Sequence, residues 1–466
     1  MRFKVQLIKE LETGELSTVA EIALAQKGDC CLENLGLKLA EAKDILAAVQ
    51  KALVVEQISD FIQEHRKCPD CQNIRTLKDA YPVVFRSLFG NIPLASQRLN
   101  HCKCSTKPTK TFSPLATLLS SNTAPELVYL ETKWASMVSF AKVPALLKDV
   151  LPVANSTNPA TVRNNTHKVG RRLESELGEE QLMFATGSPR EIARLPHPAG
   201  PITVGIDGTY VRDWTNKKEQ FEVIVGKSIP ENGASKCFGF VQTLDEKPKR
   251  RLFEVLNGQG MQMKQQVIFL SDGGENVRDL QLYMNPQAEH VLDWFHITMR
   301  LTVLKNCAQG IAGLNKALGE EALGLIEKVK WYLWHGNTHS ALSYIEDLVI
   351  CVDPDNEDDY GKPLWRGEQK ARLATIEGYV SDLETYIDRN SKFIVNYGER
   401  YRAGERISTG FTESAVNYIV NKRFSKRQQM QWSKSGAHLL LQTRIKVLND
   451  ELEATFERWY PGSQAA

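Results

Sequence analysis

The chain has no stretch approaching 18 consecutive apolar residues, so no membrane-spanning helix is expected. Its opening residues, Met1-Arg2-Phe3-Lys4-Val5-Gln6-Leu7, alternate like a strand and lack the apolar run of a signal peptide; a cytoplasmic location is the expectation. A dominant charge is missing too. With 58 Lys and Arg against 56 Asp and Glu the net is +2, so any polyanion site must come from local clustering. Nine cysteines without a secretory signal predict thiols or metal ligands over disulfides. What is present is ordinary: 42% hydrophobic and 24% charged residues are those of soluble globular proteins. A length of 466 residues exceeds one core and suggests about three domains.

The stretch Val204-Gly205-Ile206-Asp207-Gly208-Thr209-Tyr210-Val211 reads as a strand by its β-branched and aromatic content. Asp207 sits in its middle. An ionised carboxylate there costs several kcal/mol unless it is hydrogen-bonded by its neighbours or holds a cation.

Earlier in the chain, Leu35 to Arg66 has apolar residues at helical spacing and leads to Cys68-Pro69-Asp70-Cys71. Cys102-Lys103-Cys104 follows, and between the pairs Val83 to Phe89, a Gly90-Asn91 turn and Ile92 to Leu99 read as a hairpin. Cys68, Cys71, Cys102 and Cys104 could thus hold a structural Zn²⁺. A redox pair or buried apolar cysteines are the alternatives, with Cys30, Cys31 and His101 as substitute ligands. Ser105 to Pro125 reads as a linker by its Ser, Thr and Pro content.

Three helices are expected next: Pro125 to Phe140, Pro144 to Leu151, and one opened by Pro159 with Asn158 as its N-cap. In the third, Val162, Thr166, Val169 and Leu173 form a stripe. The other side shows Arg163, Asn164, Asn165, Lys168, Arg171 and Arg172, with no acidic residue from Pro159 to Arg172. This suits the recognition helix of a helix-turn-helix on double-stranded DNA, while a solvated basic helix would look the same. Gly178 to Pro201 reads as a second linker.

From Ile202 the pattern turns to strands. Phe221 to Val225 and Cys237 to Leu244 complete an antiparallel meander, Lys249 to Asn257 is a helix, and Val267 to Leu270 is a buried strand. That strand runs into Ser271-Asp272-Gly273-Gly274, where α/β sheets bind ligands. After a further helix, His290 to Leu292 is a strand ending in Asp293-Trp294-Phe295-His296. This order is that of a ribonuclease H-like α/β fold, whose first and fourth strands are neighbours. Asp207 and Asp272 would then lie side by side, repelling unless cations lie between them. Glu413, on the stripe of Val416 and Val420, is the candidate third acid, with the helix dipole as the competing explanation. Glu405, Asp293 and Glu275 are its rivals. His296 to Arg406 reads as an all-helical insertion broken at Gly336-Asn337, at Asp353 to Asp359 and at Gly361 to Pro363. Its Trp331, Tyr332, Trp334 and His335 could stack on an unpaired base, although helix core is the commoner use. Lys422, Arg423, Lys426 and Arg427 read as a basic edge, and Leu439 to Trp459 as one closing amphipathic helix.

Asp207 in GIDGTYV, Asp272 in FLSDGGENVRDL, the DWFH of Asp293 to His296 and Glu413 in TGFTESAVNYIVNKRF together resemble a DDE transposase of the Kra-type family of bacterial insertion sequences. The resemblance covers nearly the whole chain. It implies a triad of Asp207, Asp272 and Glu413 holding two Mg²⁺ (or Mn²⁺), with Asp293 and His296 in support. It further implies cutting of transposon ends and strand transfer into target DNA, a homodimer or higher oligomer on DNA, and a bacterial, nucleoid-associated protein. The domains expected are 1–110, cysteine-bearing and zinc ribbon-like; 125–178, the helix-turn-helix; 200–297, the first part of the catalytic core; 298–406, the helical insertion; and 407–466, the closing helices. The Cys-x-Cys departs from a regular four-cysteine ribbon, which bears on the zinc. A transposase-derived DNA-binding protein and a structure-specific nuclease are the alternatives. No Tyr or Ser sits among paired arginines and a histidine as a covalent recombinase needs.

Overall fold

In the computed structural model, the alternating N-terminal residues form β1 (Arg2–Glu10), which pairs antiparallel with β2 (Leu16–Gln26), a strand the sequence reading missed. The structure describes residues 2–11, 13–26, 28, 31–104, 109–155, 157–180, 188–194, 200–274, 280, 288–425 and 431–462. No helix among them is long and apolar enough to cross a membrane. This mixed α/β chain divides into Met1–Arg172 with Asp450–Ala466, and Leu173–Asn449.

In the first unit, α1 (Leu39–Arg66) begins four residues later than its apolar spacing suggests, where the Glu41 carboxylate accepts from the Lys38 N–H at 2.8 Å. Its Ile58 and Ile62 pack with Ile92, Leu94 and Leu115. A three-stranded sheet follows: β3 (Leu77–Ser87), β4 (Gly90–Asn100) and β5 (Thr111–Phe112). Ser87 pairs with Gly90, so the hairpin turns at Leu88-Phe89, two residues before the expected Gly90-Asn91. β5 and α2 (Pro114–Leu118) occupy part of the stretch expected to be a linker. Phe112 pairs with Leu99 and Leu115 is buried, and these two contacts outweigh a loop-like composition.

Helices α3 (Pro125–Met137), α4 (Val143–Val150) and α5 (Pro159–Glu176) fall close to expectation. The Asn158 side chain accepts from the Thr161 N–H at 3.0 Å and caps α5, whose Val162, Thr166 and Val169 are buried.

The second unit starts with α6 (Pro189–Arg194), inside the second expected linker. Its sheet comprises β6 (Ile202–Arg212), β7 (Gln220–Pro230), β8 (Lys236–Val241), β9 (Val267–Ser271) and β10 (Ala288–Leu292), in the spatial order β10-β9-β6-β7-β8. β6, β9 and β10 run parallel, and β7 and β8 complete an antiparallel meander on β6. One face, with Ile202, Val204, Ile206 and Phe269, packs on Leu252 and Leu256 of α7 (Pro248–Gly258). The helix expected after Asp272 falls on residues 275–287, which apart from Leu280 lie outside those described.

The expected insertion is helical: α8 (Trp294–Ala312), α9 (Lys316–Trp334), α10 (Thr338–Val352), α11 (Gly367–Asn390) and α12 (Tyr397–Arg402). They share a core with Ile268, Leu270, Val291 and Leu292 of the sheet. The chain then forms α13 (Gly410–Val416), a π-helical segment Asn417–Ser425, and α14 (Lys434–Leu448). The expected closing helix is in fact two, because Asp450 adopts φ +56 and ends α14 before α15 (Leu452–Trp459). From Ala437 to Ile445 α14 is buried on every side, as a helix laid across β8 must be. α15 belongs to the first unit, where Phe456 meets Tyr129 of α3 edge-on at 5.4 Å.

Candidate active site

β6 and β9 pair in parallel from Ile202↔Val267 to Gly205↔Leu270. Carried two residues further, that register would set Asp207, midway along β6, level with Asp272, just past the carboxyl end of β9. One oxygen of each is held by a glycine amide: the Gly208 N–H donates to Asp207 Oδ1 at 2.8 Å and the Gly274 N–H to Asp272 Oδ1 at 3.0 Å. Among the described residues no hydrogen bond engages the other oxygens. Burial is the largest influence on Asp207 and pushes its pKa up; the Gly208 amide and His296 pull it down, and Asp272 and Asp293 raise it further.

Asp293 follows β10 directly as the N-cap of α8 and is fully buried. Its carboxylate accepts from the N–H of Phe295 at 2.9 Å, the N–H of Thr409 at 2.9 Å and the Thr409 hydroxyl, and pairs with His296 Nδ1 at 2.7 Å. Every lone pair it offers is thus committed, so it is a clamp joining β10, α8 and the start of α13, not a rival third ligand. The hydrogen bond to Asp293 is also the main cause of a raised His296 pKa, opposed by burial and reinforced by Asp293, Asp272 and Asp207 as charges. With Nδ1 on Asp293, the imidazole has Nε2 left to exchange a proton, and both Asp272 and Asp207 are near enough to act on it as charges. The Tyr386 hydroxyl of α11 donates to the Asp272 carbonyl at 3.0 Å and fixes the insertion to the same strand end.

Glu413 lies on α13, whose Thr412 and Phe411 back onto Gly205 so closely that a Cβ there would have no room. Gly205 and Asp207 share a strand face, so α13 covers the face that carries Asp207. Contrary to the expected buried stripe, Glu413 itself is exposed, and Thr412, Ala415 and Val416 make the contact. Glu222 is the acid that sequence reasoning missed. It pairs opposite Tyr210 on β7, a Cβ at Gly208 would stand 2.7 Å from its Oε1, and burial, Asp272 and Asp207 all raise its pKa. Only the β6–β7 register, which no local motif announces, brings it there. Glu405 instead pairs with Arg400 at 3.2 Å, and Glu275 lies outside the described residues.

No family model matches this chain, and no curated protein does.

Among the described residues, two groups bring three or more possible metal ligands within 4.8 Å of one another, and Asp207, Asp272 and Glu413 are not one of them. The first is Cys68, Cys71, Cys102 and Cys104. Cys68 Sγ is 3.5 Å from Cys104 Sγ, and Cys71 Sγ is 3.1 Å from Cys102 Sγ and 3.4 Å from Cys104 Sγ. These separations are too long for disulfides, and sulfurs bound to one zinc at about 2.3 Å stand about 3.8 Å apart, so the four thiols could hold a metal such as zinc. The first pair sits on a tight knuckle: Lys67 bridges to Ile74, the Cys68 N–H reaches the Asn73 carbonyl at 3.0 Å, and Gln72 takes φ +58. Amides of Cys71 and Asp70 point at Cys68 and hold its thiol down to about 6. His101 stacks on Phe112 at 4.8 Å and Cys31 is exposed; neither joins the four, and Cys30 lies outside the described residues.

The second group, Glu174, Asp245 and His438, is already occupied by a cation. Arg251 donates to Asp245 and to Glu174 at 2.9 Å each and to Gln442 at 2.7 Å. The Val241 N–H donates to His438 Nδ1 at 3.3 Å, which leaves Nε2 protonated and facing Glu174 at 3.3 Å. This is an ion-pair network inside the second unit, not a metal site.

On α5, Arg163, Asn164, Lys168 and Arg171 are exposed as expected. Asn165 is not free to read bases, because its amide donates to the buried Glu131 at 2.6 Å. The Arg172 guanidinium lies 4.1 Å over Trp459. Lys422 is exposed, but Arg423 is buried with its guanidinium 5.1 Å over Trp432, so it does not belong to a basic edge. Lys426 and Arg427 lie outside the described residues. In the insertion, Tyr332 stacks on Tyr344 and Trp334 meets Trp294, as core aromatics do, whereas Trp331 stays 56% exposed beside His335.

Proposed function

We propose that this chain is a DDE transposase with a ribonuclease H-like catalytic core, cutting and rejoining DNA phosphodiesters. The observation that carries the reading is that Asp207 and Asp272 each lie two residues past the last paired positions of neighbouring parallel strands, within a sheet ordered β10-β9-β6-β7-β8. Two hard carboxylates, each with one oxygen held by an amide, fit Mg²⁺ or Mn²⁺, and Glu413 on α13, the helix that packs on Gly205, is the candidate for a third ligand. Divalent ions bound by these acids would lower the pKa of an attacking water and stabilise the leaving oxygen.

The chain's own groups have separate tasks. Asp207 and Asp272 concentrate negative charge where a phosphodiester must approach, which demands cations before substrate. Asp293 orients His296 so that Nε2 can hold or give a proton beside the carboxylates. Arg163, Lys168 and Arg171 on α5 offer a basic face to the ends of the element, and four thiols able to hold zinc would stiffen the first unit. The test is DNA cutting by the full chain in Mg²⁺ on a substrate ending in the element's own terminal sequence. Activity that persists in both Asp207→Asn and Asp272→Asn would sink the proposal.

A further inference from the structure

The hairpin that joins β6 to β7 carries a site that the catalytic reading does not use. Tyr210, Arg212, Lys217, Lys218, Phe424 and Trp432 line a cleft of about 640 Å³ at its base. Its two walls are tied together: Asp213 bridges to Trp432, and the Trp214 N–H reaches the Trp432 carbonyl at 2.9 Å. The charge is lopsided. Arg212, Lys217 and Lys218 are exposed, while Asp213 is buried, its carboxylate accepting from the Thr215 N–H at 2.8 Å and hydroxyl at 2.6 Å. Glu219 also lines the cleft and is engaged by the Asn216 amide at 2.6 Å. Interleaved with the cations are two open aromatics, Tyr210 at 62% exposure and Trp214 at 45%, the latter with Lys217 Nζ 4.6 Å from its ring centre.

Cations alone would serve a duplex, whose bases are stacked inside. Exposed aromatic faces alternating with Lys and Arg serve unpaired bases, which stack on the rings while the cations follow the backbone. The strand is shared as well: Arg212 lies five residues beyond Asp207 on β6, about 17 Å at a strand's rise per residue. From these observations we propose that the β6–β7 hairpin and its cleft bind a single-stranded nucleic acid segment leading away from the Asp207–Asp272 site. This deepens the reading of the chain as a DNA-cutting enzyme by naming where an unpaired strand runs, but it does not depend on the cutting chemistry.

The experiment measures fluorescence anisotropy of a labelled oligothymidylate with the full chain carrying Asp207→Asn, in chelator, so that nothing is cut. Adding Trp214→Ala should weaken binding at least about fivefold, with Trp214→Phe retaining most of it. Lys217→Ala with Lys218→Ala should lower the salt slope by about 1.4, since each phosphate contact on a single strand contributes about 0.7. Parent-like affinity and slope in these variants, or a parent that binds duplex but not oligothymidylate, overturns the proposal. Cutting by the wild-type chain in Mg²⁺ is assayed separately. A groove that fails while cutting persists leaves the catalytic reading standing, and a groove that behaves as expected in a chain that never cuts stands without it.

Discussion

Asp207 and Asp272 each follow by two residues the last paired positions of two parallel strands, near enough for Asp272 to raise the Asp207 pKa, and the burial of Asp207 makes that closeness costly. The folded-state pKa of Asp207 is raised, so its protonated form favours the fold and its contribution is lost as pH rises through that pKa. At neutral pH without divalent ions the charge therefore opposes folding. Asp207→Asn should melt at or above the wild-type temperature in chelator. Mg²⁺ should raise the melting temperature of the wild type and leave the variant nearly unmoved. A variant that melts lower in chelator would mean that a favourable partner, not repulsion, surrounds Asp207.

The four thiols of the first unit should bind one equivalent of zinc, because their sulfurs already approach to near the spacing of a tetrahedral site. Chelation or Cys71→Ser should lower the stability of the unit holding Cys68 and Cys104 and leave the melting of Leu173–Asn449 unchanged. The check is metal analysis alongside calorimetry. Less than about half an equivalent of zinc in folded protein would count against the site, since structural zinc is bound stoichiometrically.

Burial pushes the Glu174 carboxyl up, but His438 and Arg251 overcome it and hold it down to about 2. A depressed carboxylate contributes stability that is complete above its unfolded value and lost as pH falls towards the folded one. Glu174→Gln should therefore cost about 2 to 3 kcal/mol at pH 7, and wild type and variant should converge between about pH 4.5 and pH 2. Denaturant unfolding across that range is the measurement. A difference that stays constant with pH would show that packing, not charge, is what Glu174 supplies.

Much of this was legible in the residues because it was local. The knuckle of Cys68 and Cys71, the cap of Asn158 on α5, the three helices to Glu176 and the buried run Val267–Ser271 each carry their signal within a few positions. The adjacency of the two strands that carry Asp207 and Asp272 followed from strand order. What escaped depends on contacts between distant residues. Leu115 reads as a linker residue until Ile58 and Ile92 close over it, and Arg423 reads as a surface cation until Trp432 covers it. The break at Asp450 leaves no mark in the apolar spacing of Leu439 to Trp459. Glu222 was invisible for a further reason: a single glutamate on an ordinary strand carries no pattern, and only pairing opposite Tyr210 brings it near enough for both aspartates to raise its pKa.

That glutamate bears directly on the third acid of the proposed triad. Glu413 has the better position for a metal ligand, on the helix covering the face of Asp207, but it is exposed. Glu222 already responds to both aspartates, yet it pairs opposite Tyr210, on the face away from Gly205 and α13. If Glu413 swings in to complete the site, Glu413→Gln should reduce Mg²⁺-dependent cutting by more than about 100-fold, since even a group behind a ligand is worth 10- to 100-fold. Glu222→Gln should keep cutting. It should also raise the stability of the metal-free protein, because burial and two like charges lift the Glu222 pKa and its ionised form opposes folding at neutral pH. Glu405→Gln, which breaks only a pair with Arg400, is the control that stays active. The measurements are single-turnover cutting rates and melting temperatures in chelator and in Mg²⁺. Loss of cutting in Glu222→Gln with near-wild-type rates in Glu413→Gln would transfer the third ligand from α13 to β7 and leave Glu413 as a residue that favours its helix dipole, worth about 0.3 to 1 kcal/mol.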